Sequence, residues 1–303
     1  MYYLKLVRYQ NLVIIALVQV FIRFGLFVPL RADITLSNFE FSLLVIATLC
    51  IAAAGNIIND IYDVAVDKIN KPSQVLIGKK ISEKSANTLF IVFNVVGVGI
   101  GFYLSNSIDK PMFSALFILI SALLYLYASF LKPMLLVGNI VVSIIVALSL
   151  LIVGLFDLLP AINFLNQSHQ SFAFGIVLDY ALFAFYINLM REIVKDIQDI
   201  NGDKNGGMNT LPIVIGRKRT SYIVFVMGVL ALFGVIYYIY LHLYNYTYAI
   251  LYFLLFIMAP LLYFCVKIWE ANDKNDYGFL SRLLKIIMFL GICSILLYTF
   301  VIN

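Results

Sequence analysis

Nine apolar stretches, each close to the length of a bilayer-spanning helix, follow one another along the chain. They lie at roughly 10–30, 41–60, 86–104, 111–130, 134–156, 172–191, 220–241, 247–266 and 280–301. About 20 apolar residues are needed to cross a hydrocarbon core as a helix. Only helices and closed barrels satisfy the backbone there. The stretches fill the 303 residues, so the sequence predicts an all-α, polytopic membrane protein forming one domain over 1–303. A content of 63% hydrophobic and 12% charged residues excludes an ordinary soluble domain. The first stretch lacks the short apolar region and small-residue cleavage site of a signal peptide, and is expected to be retained.

The basic residues predict an orientation. All but three of the 21 lysines and arginines fall at the N-terminus or in every second connection thereafter; the exceptions are Arg31, Lys110 and Arg23. Basic residues accumulate on the cytoplasmic face of membrane proteins, so the N-terminus is expected inside and the C-terminus outside. The net charge of +5 then reflects loops facing anionic headgroups and implies no nucleic acid. Arg23 is the one basic residue within a span and is expected to have a partner or a place in a cavity. Cys50, Cys265 and Cys293 all lie in spans without a CxxC spacing and read as small buried hydrophobes. His169 and His242 each stand alone, as hydrogen-bonded structural histidines usually do.

Two short segments break the apolar pattern in the same way. "NIINDIYDVAVD" at 56–67 places Asp60, Asp63 and Asp67 at spacings of 3 and 4, and "EIVKDIQDINGD" at 192–203 places Asp196, Asp199 and Asp203 likewise, at a constant offset of 136. On a helix this spacing keeps three side chains within about 60° of circumference. Asn56 and Glu192 extend the same faces. Four spans separate the segments, so both are expected at cytoplasmic helix ends, facing one another across a central cavity. Six carboxylates repel and are costly to keep ionised near hydrocarbon, which calls for a bound cation. Carboxylate and amide oxygens suit Mg2+, which takes one or two carboxylates and leaves the rest of its shell to water and phosphate. Lys68, Lys71, Lys79, Lys80, Arg191, Lys195 and Lys204 flank the segments, and carboxylates with nearby cations point to a metal-bridged polyphosphate. A cation transporter using the same acidic faces is the competing class.

These segments resemble the signatures of the UbiA superfamily of intramembrane prenyltransferases. "NDIYDVAVD" at 59–67 with the following "KINKP" and "IGKKIS" resembles the first, and "DIQDINGDKNGGMNTLP" at 196–212 the second. "LKPMLLVGN" at 131–139 and "RYQN" at 8–11 are also similar. The chain departs from the pattern after "NKP", where Gln74 and Val75 stand in place of a basic residue and a proline. The resemblance implies nine helices around a central cavity, two Mg2+ ions bridging an isoprenyl diphosphate to the aspartates, and prenyl transfer to a lipophilic acceptor within the bilayer. It implies Asn59, Asp60, Asp63, Asp67, Asp196, Asp199 and Asp203 as metal-site residues, with Asp63, Asp67, Asp199 and Asp203 central to catalysis. Lys71, Lys132, Arg191 and Lys204 are the expected diphosphate contacts, and Asn11 a further substrate contact. Tyr127, with Tyr125, Phe183, Phe185 and Tyr186, is available to wall a carbocation. "NLMREIVKDIQDINGD" followed by "NTLP" is most similar to the branch that alkylates geranylgeranylglyceryl phosphate in ether lipid synthesis. Branches with aromatic quinone precursors or haem as acceptor are the alternatives.

Overall fold

The computed structural model describes residues 1–301. Among them no strand occurs, and nine helices are long and apolar enough to cross a membrane. They are α1 (Tyr9–Phe27), α2 (Asn38–Tyr62), α3 (Glu83–Ser107), α4 (Pro111–Leu131), α5 (Val137–Ala161), α6 (Gln167–Asn205), α7 (Arg217–Leu243), α8 (Thr247–Glu270) and α9 (Lys274–Leu297). Local chemistry sets several ends. Ser37 and Glu40 close a capping box on α2, Ser82 caps α3, and Asp273 with Asp276 caps α9, each satisfying amides that the first turn leaves open. In α8 the turn at Leu254–Met258 widens to π geometry just before Pro260, where the ring removes a backbone donor and crowds the preceding turn.

The helices group into two compact units. The first comprises Met1–Lys132 and Leu148–Val177, the second Pro133–Ala147 and Leu178–Asn303. In the first, α3 packs closely on α2 at Gly97 and on α4 at Gly101, one turn apart. A Cβ at Gly97 would stand 2.8 Å from Ile51 of α2, and one at Gly101 2.3 Å from the Phe117 ring of α4. Hydrophobic burial supplies no drive between helices in lipid, so such close backbone approach is what makes their contact favourable.

Polar groups tie the same unit together. Arg23, 1% exposed, donates through Nη1 to both carboxylate oxygens of Asp157 at 3.1 Å and through Nη2 to the Leu36 carbonyl at 2.6 Å. The Leu36 amide donates to the same carboxylate at 3.1 Å, and the Phe41 ring lies 4.6 Å from the guanidinium. The intramembrane arginine therefore has a structural partner. Gln19 of α1 joins Thr48 of α2 and the Ser149 carbonyl of α5.

In the second unit, Ile187, Met190 and Val194 of α6 share one core with Val224 of α7, Leu261 and Phe264 of α8, and Leu280, Leu284 and Ile287 of α9. Buried phenols find acceptors or hydroxyl partners: Tyr180 meets Ser294 at 2.7 Å and Tyr186 donates to the Met227 carbonyl at 3.0 Å. Exposed Tyr237, Tyr240, Tyr244, Tyr246 and Tyr248 cluster around the turn from α7 to α8, as aromatic side chains do at a membrane–water boundary. Cys265 is buried, Cys50 and Cys293 are half-buried, and all three are free thiols. His169 sits 2.9 Å from the Leu30 carbonyl, a structural contact.

Removing one partner of a buried ion pair strands the other charge, at a cost of about 3–5 kcal/mol. Arg23→Met is therefore expected to lower the thermal midpoint in detergent strongly, and the Arg23→Met/Asp157→Leu pair to recover most of the loss. A wild-type midpoint in the single variant would remove this clasp from the stabilising interactions.

Candidate active site

The two acidic segments share a spacing but not a backbone. α2 ends at Tyr62; Asp63 takes a cap conformation, with φ −82° and ψ −4°, and a short helix, Val64–Asn70, carries on. The i to i−4 bonds continue through this break, from Asp63 N to Asn59 O at 2.9 Å and from Asp67 N to Asp63 O at 2.8 Å. The first triplet therefore spans the junction of two helices at Asp63. The second triplet rides on an unbroken α6, which runs well beyond the apolar stretch ending near residue 191. The helix stops before Gly207, at φ 70°, a left-handed position that glycine adopts without strain.

In the first unit Asp63, 6% exposed, accepts a 2.6 Å bond from the Asn59 amide and an ion pair from Lys132, which follows the π turn Tyr127–Leu131 at the end of α4. Lys132 also reaches the Asn59 oxygen at 3.4 Å. Asp60 pairs with Arg8 at 2.7 Å. The N-terminal segment is held over α2 by the Asn56 amide, which donates to the Val7 carbonyl at 3.0 Å, and by Leu6 packed with Ile57, Ile77, Ile81 and Ala86. Burial, followed by the neighbouring Asp63 charge, raises the carboxyl of half-buried Asp67 above its ordinary range. Asn11, Lys71 and Tyr127 are also half-buried.

In the second unit Asp196 accepts from the Asn139 amide at 2.8 Å, and Glu192 from both Arg191 and Lys195 at 2.8 Å. Asp199 and Asp203 are 9% and 7% exposed, while Lys204 is exposed. Arg8 and Asn139 are partners that the sequence reading did not assign; each lies in a segment singled out there, but nothing in the local pattern says which carboxylate it meets. Lys285, expected in the loop before the last span, stands eleven residues inside α9.

Among the described residues no three His, Cys, Asp or Glu side chains converge as a ready-made metal cage. The donor set nevertheless suits Mg2+: the oxygens are hard, several are buried, and Mg2+ binds through few protein carboxylates, with phosphate and water completing its shell. Arg8 and Lys132 place positive charge beside Asp60 and Asp63.

A separate apolar recess of about 470 Å³ lies within the second unit, lined by Asp179, Phe183, Tyr186, Tyr238, Phe253 and Gly291 among others. At about 100° per residue, Phe183 and Tyr186 leave α6 on a different face from Asp199 and Asp203. Of the aromatic residues expected around a cation, these two line that recess, and Tyr125 is exposed beside Tyr62 and Phe90.

Residues 12–300 match the model of a family described as the UbiA prenyltransferase family. The digeranylgeranylglyceryl phosphate synthase of Methanococcoides burtonii is 30% identical over 301 residues, covering 96% of this chain and 97% of the relative. Its counterpart in Sulfolobus acidocaldarius is 37% identical over 235 residues, covering 75% and 74%. Among solved structures, a UbiA homolog from Archaeoglobus fulgidus bound to GPP and Mg2+ superposes with a TM-score of 0.60 at 16% identity, covering 97% of this chain and 99% of that one.

If Lys132 supplies charge that Asp63 needs, losing it is tolerable only where another cation is present. Lys132→Met is expected to melt several degrees below wild type in EDTA and to regain most of that difference in millimolar Mg2+. An equal deficit in both buffers would count against a cation site at Asp63.

Proposed function

Because the chain belongs to the UbiA prenyltransferase family, we propose that it transfers a prenyl group from an isoprenyl diphosphate to geranylgeranylglyceryl phosphate. It is an integral, multi-pass membrane enzyme that depends on Mg2+. The observation that carries the acceptor is similarity over nearly the full chain to digeranylgeranylglyceryl phosphate synthases, with both acidic segments inside the matched residues. The same match supports one catalytic membrane domain over 1–303, and the basic connections support a cytoplasmic N-terminus and active-site face.

Asn59, Asp60, Asp63, Asp67, Asp196, Asp199 and Asp203 are the proposed residues for two Mg2+ ions, of which Asp63, Asp67, Asp199 and Asp203 matter most for turnover. When bound, Mg2+ neutralises the diphosphate and makes it a competent leaving group. Lys71, Lys132 and Lys204 donate to diphosphate oxygens, whose charge grows as the allylic C–O bond breaks. Arg191 is a further diphosphate contact, and Asn11 a further polar substrate contact. Tyr127 offers a π face to the electron-poor prenyl carbon. The acceptor hydroxyl oxygen gains that carbon and releases its proton as diphosphate departs. Apolar spans keep water from competing for the same carbon.

Membranes holding the protein, given labelled geranylgeranyl diphosphate with geranylgeranylglyceryl phosphate, 4-hydroxybenzoate or dihydroxynaphthoate, are expected to yield a prenylated product only from the glycerophosphate. Product from an aromatic acceptor instead would reassign the branch. Asp63→Ala and Asp199→Ala are each expected to lower turnover about 10²–10³-fold or more, as loss of a group stabilising transition-state charge does, with the protein still inserted and folded.

If both segments serve one diphosphate, their losses do not add. Asp67→Asn combined with Asp203→Asn should cost little more than the worse single change. Additivity within about 0.5 kcal/mol would indicate independent ion sites, as in a transporter.

A further inference from the structure

The apolar recess of the second unit holds one charge. Asp179 is the only charged side chain among its lining residues. It stands within a membrane-spanning helix, partly buried, where a carboxylate is costly without a partner. His242 and the phenols of Tyr180, Tyr238 and Tyr298 lie close enough to feel its charge. Those phenols are engaged elsewhere, Tyr180 with Ser294 at 2.7 Å and Tyr238 with Tyr298 at 3.4 Å. Among the described residues Asp179 accepts no hydrogen bond and joins no ion pair.

This place is distinct from the acidic segments. On helix geometry, Asp179 and Phe183 point roughly 130–170° around α6 from the middle of the Asp196, Asp199 and Asp203 stripe, and Asp179 lies about 30 Å along the axis from Asp199. The lining residues run from Asp179 to Ile187 on α6 and, antiparallel, from Tyr238 to Leu230 on α7, a length of about 12 Å. Asp179 and Tyr238 mark one end, the end nearer the exposed tyrosines of the turn from α7 to α8. The remaining wall is apolar or aromatic, with Tyr180, Phe183, Tyr186 and Phe253. Glycine helps keep the space open: a Cβ on Gly234 would meet nothing within 4 Å. Gly234, Leu182 and Leu230 are exposed, so the recess opens sideways between spans, where an amphiphile can enter from the bilayer.

We infer that this recess binds a single-chain amphiphile with a protonated amine head, the ammonium on Asp179 and the tail along the recess toward the bilayer centre. The inference stands apart from the prenyl-transfer reading and assigns α6–α9 a second ligand. An ammonium supplies the charge and the hydrogen-bond donors that the carboxylate lacks. Aromatic side chains beside it favour a cation, since ring faces attract positive charge. A neutral alcohol would meet only the hydrogen-bonding need, and an anionic head would be repelled. The volume of about 470 Å³ falls in the range of small-molecule sites and holds about 15 water-sized groups at roughly 30 Å³ each.

The test uses purified full-length protein in a non-ionic detergent at pH 7, where an alkylamine is protonated, as lysine is below its ordinary pKa of about 10.4. The probes are dodecylamine, dodecanol and dodecanoate; the variants are Asp179→Asn and Gly234→Leu, the second filling the open space beside α7. Tritiated dodecylamine is expected to bind wild type saturably, about 10–100-fold more weakly to Asp179→Asn, the worth of one hydrogen bond to a charged group, and not measurably to Gly234→Leu. In thermal melts, dodecylamine stabilises wild type more than dodecanol or dodecanoate does, and both variants lose that difference. Without ligand, Asp179→Asn melts at or above wild type, because no pair is broken. The inference is overturned by equal stabilisation from dodecanol, by unchanged dodecylamine affinity in either variant, or by an unliganded Asp179→Asn that melts below wild type, which would make the carboxylate a structural partner. Should Gly234→Leu fail to fold, the Asp179→Asn affinity and the comparison of head groups decide.

Discussion

A charge placed in a lipid-spanning helix has no water to fall back on, so the chain must bring it a partner or leave the helix unstable in the membrane. That requirement organises both units. Arg23 meets Asp157 across 134 residues of sequence, Lys132 meets Asp63 across 69, and Asn139 meets Asp196 across 57. Each contact joins segments far apart in sequence. Polar pairs supply specificity in a medium where leucine packs against lipid as readily as against leucine. The glycines of α3 do the complementary task, bringing backbones close enough for dispersion to matter.

The same requirement gives the acidic segments their character. Carboxylates at the ends of membrane helices need partners of their own. Asp60 and Asp63 have Arg8 and Lys132 beside them, and Asp196 has the Asn139 amide. These partners are cations or hydrogen-bond donors on other elements, so they neutralise or solvate the carboxylates. The backbone differs between the copies. The first segment passes from one helix into a short second one at Asp63, while the second lies wholly on α6.

The comparison of sequence with structure turns on what each pattern averages over. Span number and helical class were legible, because hydropathy sums over some 20 residues and tolerates single exceptions. The acidic triplets were legible because a 3-then-4 spacing is a property of the helix itself. Hydropathy was a poorer guide to helix ends. It closed the sixth span near residue 191, whereas α6 runs to Asn205, since a helix leaving the apolar region loses its hydrophobicity without losing its hydrogen bonds.

By itself, then, the sequence determined that this protein is a bundle of membrane helices carrying two carboxylate faces at matched positions, since both features are periodic and local. Tertiary structure alone decided which cation answers which carboxylate: Arg8 for Asp60, Lys132 for Asp63, and Arg23 for Asp157. The physical reason is that an ion pair depends on a few ångströms of separation, and that separation is set by close-packed glycines and interlocking side chains far apart along the chain.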